Sequence, residues 1–186
     1  MPKKNKVATA TTSTGDTGMV VVAYGDALAL GEDTLTSVST SIKIKDKGGV
    51  TKAKGEIETI AAAESPDGAV FVSAENDVTA SGADHVIIKT TSKTFEGNGE
   101  SYTVSVTKFK AIDIEGKEGP TKVVEHHNAK SIDDEHFGIE LNGNVSYAEF
   151  DVQASGENSL AIVDVYSLAY ADELSITTIV ATAATG

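Results

Sequence analysis

Three carboxylates and one imidazole fall on a single predicted β-hairpin, where their spacing suits a cation site. The pair Asn142-Gly143 is the strongest hairpin signal in the chain and fits a two-residue type I′ turn. In the register that this turn sets, His136 faces Glu149 and Asp134 faces Asp151. Oxygen ligands dominate that patch, so Ca²⁺ is the cation that it favours. The alternative is a solvated acidic face, on which His136 and Glu149 form a weak surface ion pair.

The hydrophobic pattern of the same hairpin supports this register. The face opposite the carboxylates is apolar throughout and is predicted to pack into the core, as one face of a half-buried strand pair does. Its members are Phe137, Ile139, Leu141, Ala148, Phe150 and Val152. Two carboxylates directly opposed destabilise a sheet, so either the pairing ends before Asp134 or a cation lies beside it.

The other chemistry-bearing residues lack the arrangement that catalysis needs. The chain has no cysteine, which removes thiolate metal ligands and thiol nucleophiles. His126 and His127 are adjacent, so on a strand they point to opposite faces and do not share one metal ion. No serine lies in a Gly-x-Ser-x-Gly context. The sequence therefore predicts no catalytic residues and a protein that is not an enzyme.

Charge narrows the classes of partner. The formal net charge is −13, and all 15 basic residues are lysines. Without arginine the chain lacks the planar fork that reads base edges, and its net charge repels polyanions and anionic membrane surfaces. These features predict no nucleic-acid partner and no membrane insertion. Divalent cations and other proteins, including copies of the same chain, remain as partners.

The elements that must position these residues are strands. Short alternating or apolar runs recur between turn residues, which predicts about ten to twelve short strands and no helix. Aromatic residues make up only 5% of the chain, so small aliphatic side chains must fill a thin interior. That favours two sheets packed face to face. We expect an all-β fold, an antiparallel, jelly-roll-like β-sandwich over residues 19–186, behind an extended N-terminal arm of residues 1–18.

Two segments within the predicted sandwich are less regular. Residues 54–63 fit a helix or a strand, and the alternation from Ile57 to Ile60 favours a strand. In residues 101–115, Tyr102, Val104 and Val106 alternate, but the apolar phase slips at Phe109. A slip of this kind predicts a β-bulge, here near Lys108.

Two apolar, β-prone segments near the ends of the chain predict self-association. They leave strand edges that a monomer normally protects with charge, and no charged side chain follows Glu173. We expect one of these segments to complete a sheet of the next copy, and a contact of this kind that does not close makes a filament. The alternative is that both are internal core strands of a monomer. The residues concerned are Val20, Val21, Val22, Leu28, Leu30, Ile176, Ile179 and Val180.

In overall character the chain resembles acidic, cysteine-free bacterial surface and extracellular matrix proteins that form fibres. The likeness rests on its abundant Ala, Thr, Gly and Asp, the lack of an N-terminal signal and the small residues of positions 181–186. It implies a non-enzymatic structural subunit that self-assembles by β-strand exchange into an extracellular fibre or surface layer. Two alternatives remain open: a virion component such as a phage tail or decoration protein, and a calcium-dependent adhesin or binding module that uses the patch around Asp134 and Asp151.

Overall fold

The computed structural model describes residues 18–66, 69–97, 99–117, 119–131 and 141–186. Regular structure within these ranges consists of ten strands. No helix of the described ranges is long and apolar enough to cross a membrane. In chain order the strands are β1 (Val20–Leu30), β2 (Asp33–Asp46), β3 (Val50–Glu64), β4 (Phe71–Ser81), β5 (His85–Gly97), β6 (Glu100–Ile114), β7 (Lys122–Ser131), β8 (Asn144–Ser155), β9 (Leu160–Tyr170) and β10 (Leu174–Ala184).

The strands form two open sheets that pack face to face. The four-stranded sheet has the order β4-β1-β10-β9, and all its neighbours are antiparallel. The six-stranded sheet has the order β7-β5-β6-β3-β2-β8. Its outermost pairs, β5 with β7 and β2 with β8, are parallel, whereas its inner pairs are antiparallel. The predicted all-β sandwich is confirmed, and the ambiguous segment at residues 54–63 is a strand.

The apolar core lies between the two sheets and is built mainly from Ala, Val and Ile. β1 and β10 contribute alternate residues to it, as strands with one buried face do. The sheets approach closely at Gly25, where an added Cβ would lie 2.6 Å from Cγ1 of Val38 in the facing sheet. A thin interior of small side chains is what the scarcity of aromatic residues predicts.

Polar side chains also bridge the two sheets inside the sandwich. The Asn76 amide on β4 donates hydrogen bonds to the carbonyls of Ser105 on β6, at 2.9 Å, and of Ile57 on β3, at 3.3 Å. The hydroxyls of Thr36 on β2 and Thr177 on β10 are hydrogen-bonded at 2.9 Å. Buried polar groups need such partners, so these contacts fix how one sheet is placed over the other.

The β-bulge predicted near Lys108 is wrong. β6 pairs with β3 and with β5 in unbroken registers along its length. The inward positions of β6 alternate regularly along the strand, but the first of them carry hydroxyl side chains, which an apolar pattern does not detect. The apolar residues at the start of the strand point outward. Tyr102 is one of these, and it stacks on Phe95 with ring centroids 5.6 Å apart. The buried residues on the inward face of β6 are Ser101, Ser105, Thr107, Phe109 and Ala111.

Candidate functional site

The predicted cation site is only partly within the described residues. Asp134 and His136 lie outside them, as do the hairpin pairings proposed for residues 132–140. Glu149 and Asp151 are exposed on the outward face of β8, next to Ser39 and Ser41 of β2. No group of three His, Asp or Glu side chains within the described ranges is placed to hold a metal ion. Calcium binding therefore stays a prediction.

The turn that set the hairpin register differs from the prediction. Gly143 has a φ of 83°, but among non-glycine residues of the described ranges only Asn158 and Asp172 have a positive φ. A type I′ turn needs a positive φ at both central residues, so Asn142-Gly143 does not form one. Gly143 instead donates its N–H to the Asp33 carboxylate at 2.5 Å, where β8 begins its parallel pairing with β2.

The two adjacent histidines are exposed, as solvent-facing residues of β7. His127 Nε2 lies 3.6 Å from a carboxylate oxygen of Glu125, and His126 lies beside Lys89 in the parallel register with β5. A cationic neighbour disfavours a metal ion, so the position of His126 gives no support to a two-histidine site.

The eight residues predicted for self-association lie on β1 and β10, which are neighbours at the centre of the four-stranded sheet. The register runs from Val20 opposite Ala184 to Leu30 opposite Leu174. Each strand also has a second neighbour, β4 for β1 and β9 for β10. Within this chain both strands are therefore internal, as the alternative interpretation of the sequence predicts. Their role in self-association stays a prediction.

The outward side of this four-stranded sheet is unusually apolar, and we call it the apolar sheet face. Six of the eight predicted residues point to this side, whereas Val21 and Ile179 point into the core and are fully buried. Apolar patches of this extent on a soluble protein commonly mark an interaction site. Its large hydrophobic residues with at least a third of their surface exposed are Tyr24, Leu30, Phe71, Leu160, Ile162, Tyr166, Leu168 and Tyr170.

A cluster of acidic side chains, here called the acidic zone, lies within the apolar sheet face. It consists of Asp26, Glu75 and Asp77, with Asp26 directly opposite Glu75 and Tyr24 directly opposite Asp77. Thr178 donates a hydrogen bond to Asp26 at 2.6 Å. Burial raises the pKa of Tyr24, and the charges of Asp26 and Glu75 raise it further. No lysine occurs in any of the four strands, so the negative charge of this zone has no cation within its own sheet.

The outward side of the six-stranded sheet is rich in lysine, and it also carries acidic residues such as Glu56, Glu149 and Asp151. Every lysine on a described strand lies on this side, and five of them form what we call the lysine cluster. Three of them, Lys43, Lys54 and Lys110, occupy directly paired positions on the adjacent strands β2, β3 and β6. The other two, Lys45 and Lys52, form the next pair on the same face of β2 and β3. The cluster consists of Lys43, Lys45, Lys52, Lys54 and Lys110.

Sequence analysis missed this cluster, although it has a simple signal. A lysine, one apolar residue and a second lysine recur at residues 43–45, 52–54 and 108–110. Alternation places both lysines of each triplet on one face of a strand. Only the order β6-β3-β2 shows that the three triplets are neighbours in space.

An open cleft of about 610 Å³ lies where loops meet at one end of the sandwich. Its charged lining residues among those described are Glu32, Asp172 and Glu173, and all of them are acidic. A catalytic site needs groups in complementary roles, such as a base beside a nucleophile, and this lining does not provide them. No family model matches the chain, and neither does any curated protein or solved structure.

Proposed function

We propose that this protein is a non-enzymatic structural subunit that assembles with copies of itself through the apolar sheet face. The observation that carries the proposal is the exposure of large side chains there: Tyr166 and Tyr170 are 56% and 59% exposed, and Phe71 is 52% exposed. Burial of such surface is the main driving force of protein association. Tyrosine and phenylalanine are also the side chains enriched at protein interfaces.

The size of the face supports a stable contact. Four strands spaced about 4.8 Å apart, each of 11 residues rising about 3.3 Å, cover roughly 19 by 36 Å, or about 700 Å². A standard protein interface buries about 800 Å² on each partner.

Face contact and strand exchange differ in what they require of the chain. Strand exchange, the route that the sequence predicts, requires β1 or β10 to leave a position between two hydrogen-bonded neighbours. Contact through the apolar sheet face uses surface that is already exposed. We therefore favour face contact as the mode of assembly.

The assembly that we propose is an extracellular fibre or surface layer. This location follows from the resemblance in composition to acidic, cysteine-free bacterial surface proteins. A virion component and a monomeric calcium-dependent adhesin are the alternatives, and the form of the assembly separates them. Negative-stain microscopy of the purified protein would show filaments or sheets for the proposed subunit, rings or tubes for a virion part, and dispersed particles for the adhesin.

The contact is tested by a pair of substitutions on β9, Ile162→Ser with Leu168→Ser. These side chains are 47% and 39% exposed on the apolar sheet face. Full burial of such a side chain contributes about 1.5–3 kcal/mol, so the loss of both contacts costs about 2 kcal/mol of association free energy. That is about a thirtyfold weaker association. Val165→Ser is the matched control, because Val165 is 44% exposed on the same strand but lies on its opposite side, across from buried Ile179.

Sedimentation velocity over a range of concentrations gives the readout. Wild type and Val165→Ser should form assemblies, and the double variant should sediment as a monomer at the same concentration. A wild-type protein that remains monomeric throughout would contradict the proposed function. A double variant that assembles as strongly as wild type would show that the apolar sheet face is not the contact.

A further inference from the structure

We propose that the lysine cluster receives the acidic zone of the next copy, so that subunits stack head to tail with unlike faces in contact. This inference rests on the proposed function, and it names the surface against which the apolar sheet face docks. The partner is a second copy of this chain.

Like charges are concentrated in the lysine cluster. Lys54 lies directly opposite Lys43 on one side and Lys110 on the other, and like charges at paired positions destabilise a sheet. The nearest ion pair joins Lys108 to Glu56 at 3.2 Å. Among the described residues, no salt bridge involves a member of the cluster. A chain of net charge −13 thus keeps a concentrated patch of positive charge on one face.

The acidic zone has the same problem with the opposite sign. Asp26 and Glu75 are directly paired, and Asp77 lies one step along β4. If two apolar sheet faces met each other, the acidic zones of both copies would be buried in one interface in which no lysine of the four strands could pair with them. If the face meets the lysine cluster instead, the charges are complementary. Stacked sheets lie about 10 Å apart, close enough for such charges to interact.

Apolar side chains border part of each charged patch. Exposed isoleucines flank the lysine cluster: Ile87 pairs with Lys110, Ile112 pairs with Lys52, and Ile114 follows at the end of β6. They are 50%, 37% and 41% exposed. Tyr24 and Leu28 border the acidic zone along β1, whereas Ser73 and Thr79 follow it along β4. Each patch therefore has an apolar border on one side, where water can be excluded around paired charges.

Contact between unlike faces has a geometric consequence. A heterologous interface that does not close leaves one unpaired apolar sheet face at one end of every assembly and one unpaired lysine cluster at the other. Further copies can therefore add at both ends. The two faces lie on opposite sides of the sandwich, which directs growth along the normal to the sheets. The expected product is a filament or stack rather than a closed dimer.

Two charge-reversal variants test the inference. The first carries Lys43→Glu, Lys54→Glu and Lys110→Glu, and the second carries Glu75→Lys and Asp77→Lys, which lie on the edge strand β4. Neither variant should assemble alone, because each presents like charges at the contact. An equimolar mixture should assemble again, since every contact then joins opposite charges. Assembly of the wild type should weaken about tenfold or more when salt is raised from low to high ionic strength, as screening predicts.

A milder variant and a polyanion control keep the outcome decisive. If the lysine-to-glutamate variant fails to fold by circular dichroism, Lys43→Gln with Lys54→Gln and Lys110→Gln should still weaken assembly about tenfold. A lysine variant that assembles like wild type would overturn the inference, and the proposed function would stand if Ile162→Ser with Leu168→Ser still dissociates the protein. Loss of binding to a heparin column with unchanged assembly would assign the cluster to a polyanion and overturn the inference as well. A monomeric wild type would overturn both proposals.

Discussion

Thr40→Val should stabilise the fold, although it removes a polar group from a protein rich in threonine. Thr40 is 2% exposed, and its Oγ1 is buried with no hydrogen-bond partner among the described residues. An unpaired buried hydroxyl costs about 1–3 kcal/mol of desolvation. Valine has nearly the same shape and the same branching at Cβ, so it fits the position in β2 without that cost. We expect the free energy of unfolding to rise by about 1 kcal/mol, which shifts the Tm by about 2–4 °C in a chain of this size.

Thr36→Val is the matched control, because it makes the same chemical change four residues earlier on the same face of β2. The Thr36 hydroxyl is hydrogen-bonded to that of Thr177 at 2.9 Å across the two sheets. Thr177 is also hydrogen-bonded to the Ser146 hydroxyl at 2.6 Å, so it keeps one partner when Thr36 is replaced. A lost hydrogen bond of this kind should lower the free energy of unfolding by about 1 kcal/mol.

Urea denaturation in the monomeric background of Ile162→Ser with Leu168→Ser measures both changes without a contribution from assembly. The m-values should match that of the background protein, so that a shift in midpoint reports stability alone. The opposite signs of the two effects are the distinctive result. If Thr40→Val destabilises the fold as much as Thr36→Val does, the Thr40 hydroxyl has a partner and the reasoning from its burial is wrong.

Two further predictions concern the four-stranded sheet and strand β5. Gly25→Ala should destabilise the fold by about 1–3 kcal/mol, because its new methyl group would clash with the facing sheet. Gly97→Ala is the control and should be tolerated, since a Cβ there makes ordinary contacts. Equal effects of the two substitutions in thermal melting would contradict the close approach of the sheets at Gly25. Asp26→Asn should lower the pKa of Tyr24, seen as an earlier step in an ultraviolet absorbance titration of tyrosine. The raised pKa means that the folded state holds the Tyr24 proton more tightly than the unfolded state does. Stability should therefore fall as pH rises above about 10, and it should fall less steeply in Asp26→Asn. An unchanged tyrosine titration in this variant would refute the role of the Asp26 charge.

The strands were predictable because their signals are local. The apolar run of β1 and the alternation of β2 mark buried faces at short range, and turn residues mark the ends. The inward face of β6 was not predictable, since Ser105 and Thr107 are buried by the facing sheet and carry no hydrophobic signal. Hydroxyl side chains are small enough for the thin interior, so the apolar pattern suggested a β-bulge where the strand is in fact regular.

The candidate surfaces depend on pairing between segments that are distant in the chain, and local sequence patterns do not reveal this pairing. The lysine cluster appears only when β2, β3 and β6 are known to be neighbours, although each K-x-K triplet is visible by itself. The acidic zone likewise combines Asp26 of β1 with Glu75 and Asp77 of β4. Loop lengths and turn residues constrain hairpins, but they do not determine which non-consecutive strands meet.

The central place of β1 and β10 in one sheet sets the order in which the chain can mature during synthesis. β10 follows β1 by some 150 residues, so the β1–β10 pairing forms only after the eight intervening strands have been synthesised. β9 also depends on β10, because its sheet partner among the described strands is that strand. The apolar sheet face is therefore incomplete until β10 has been synthesised, although β1 and β4 can pair before then.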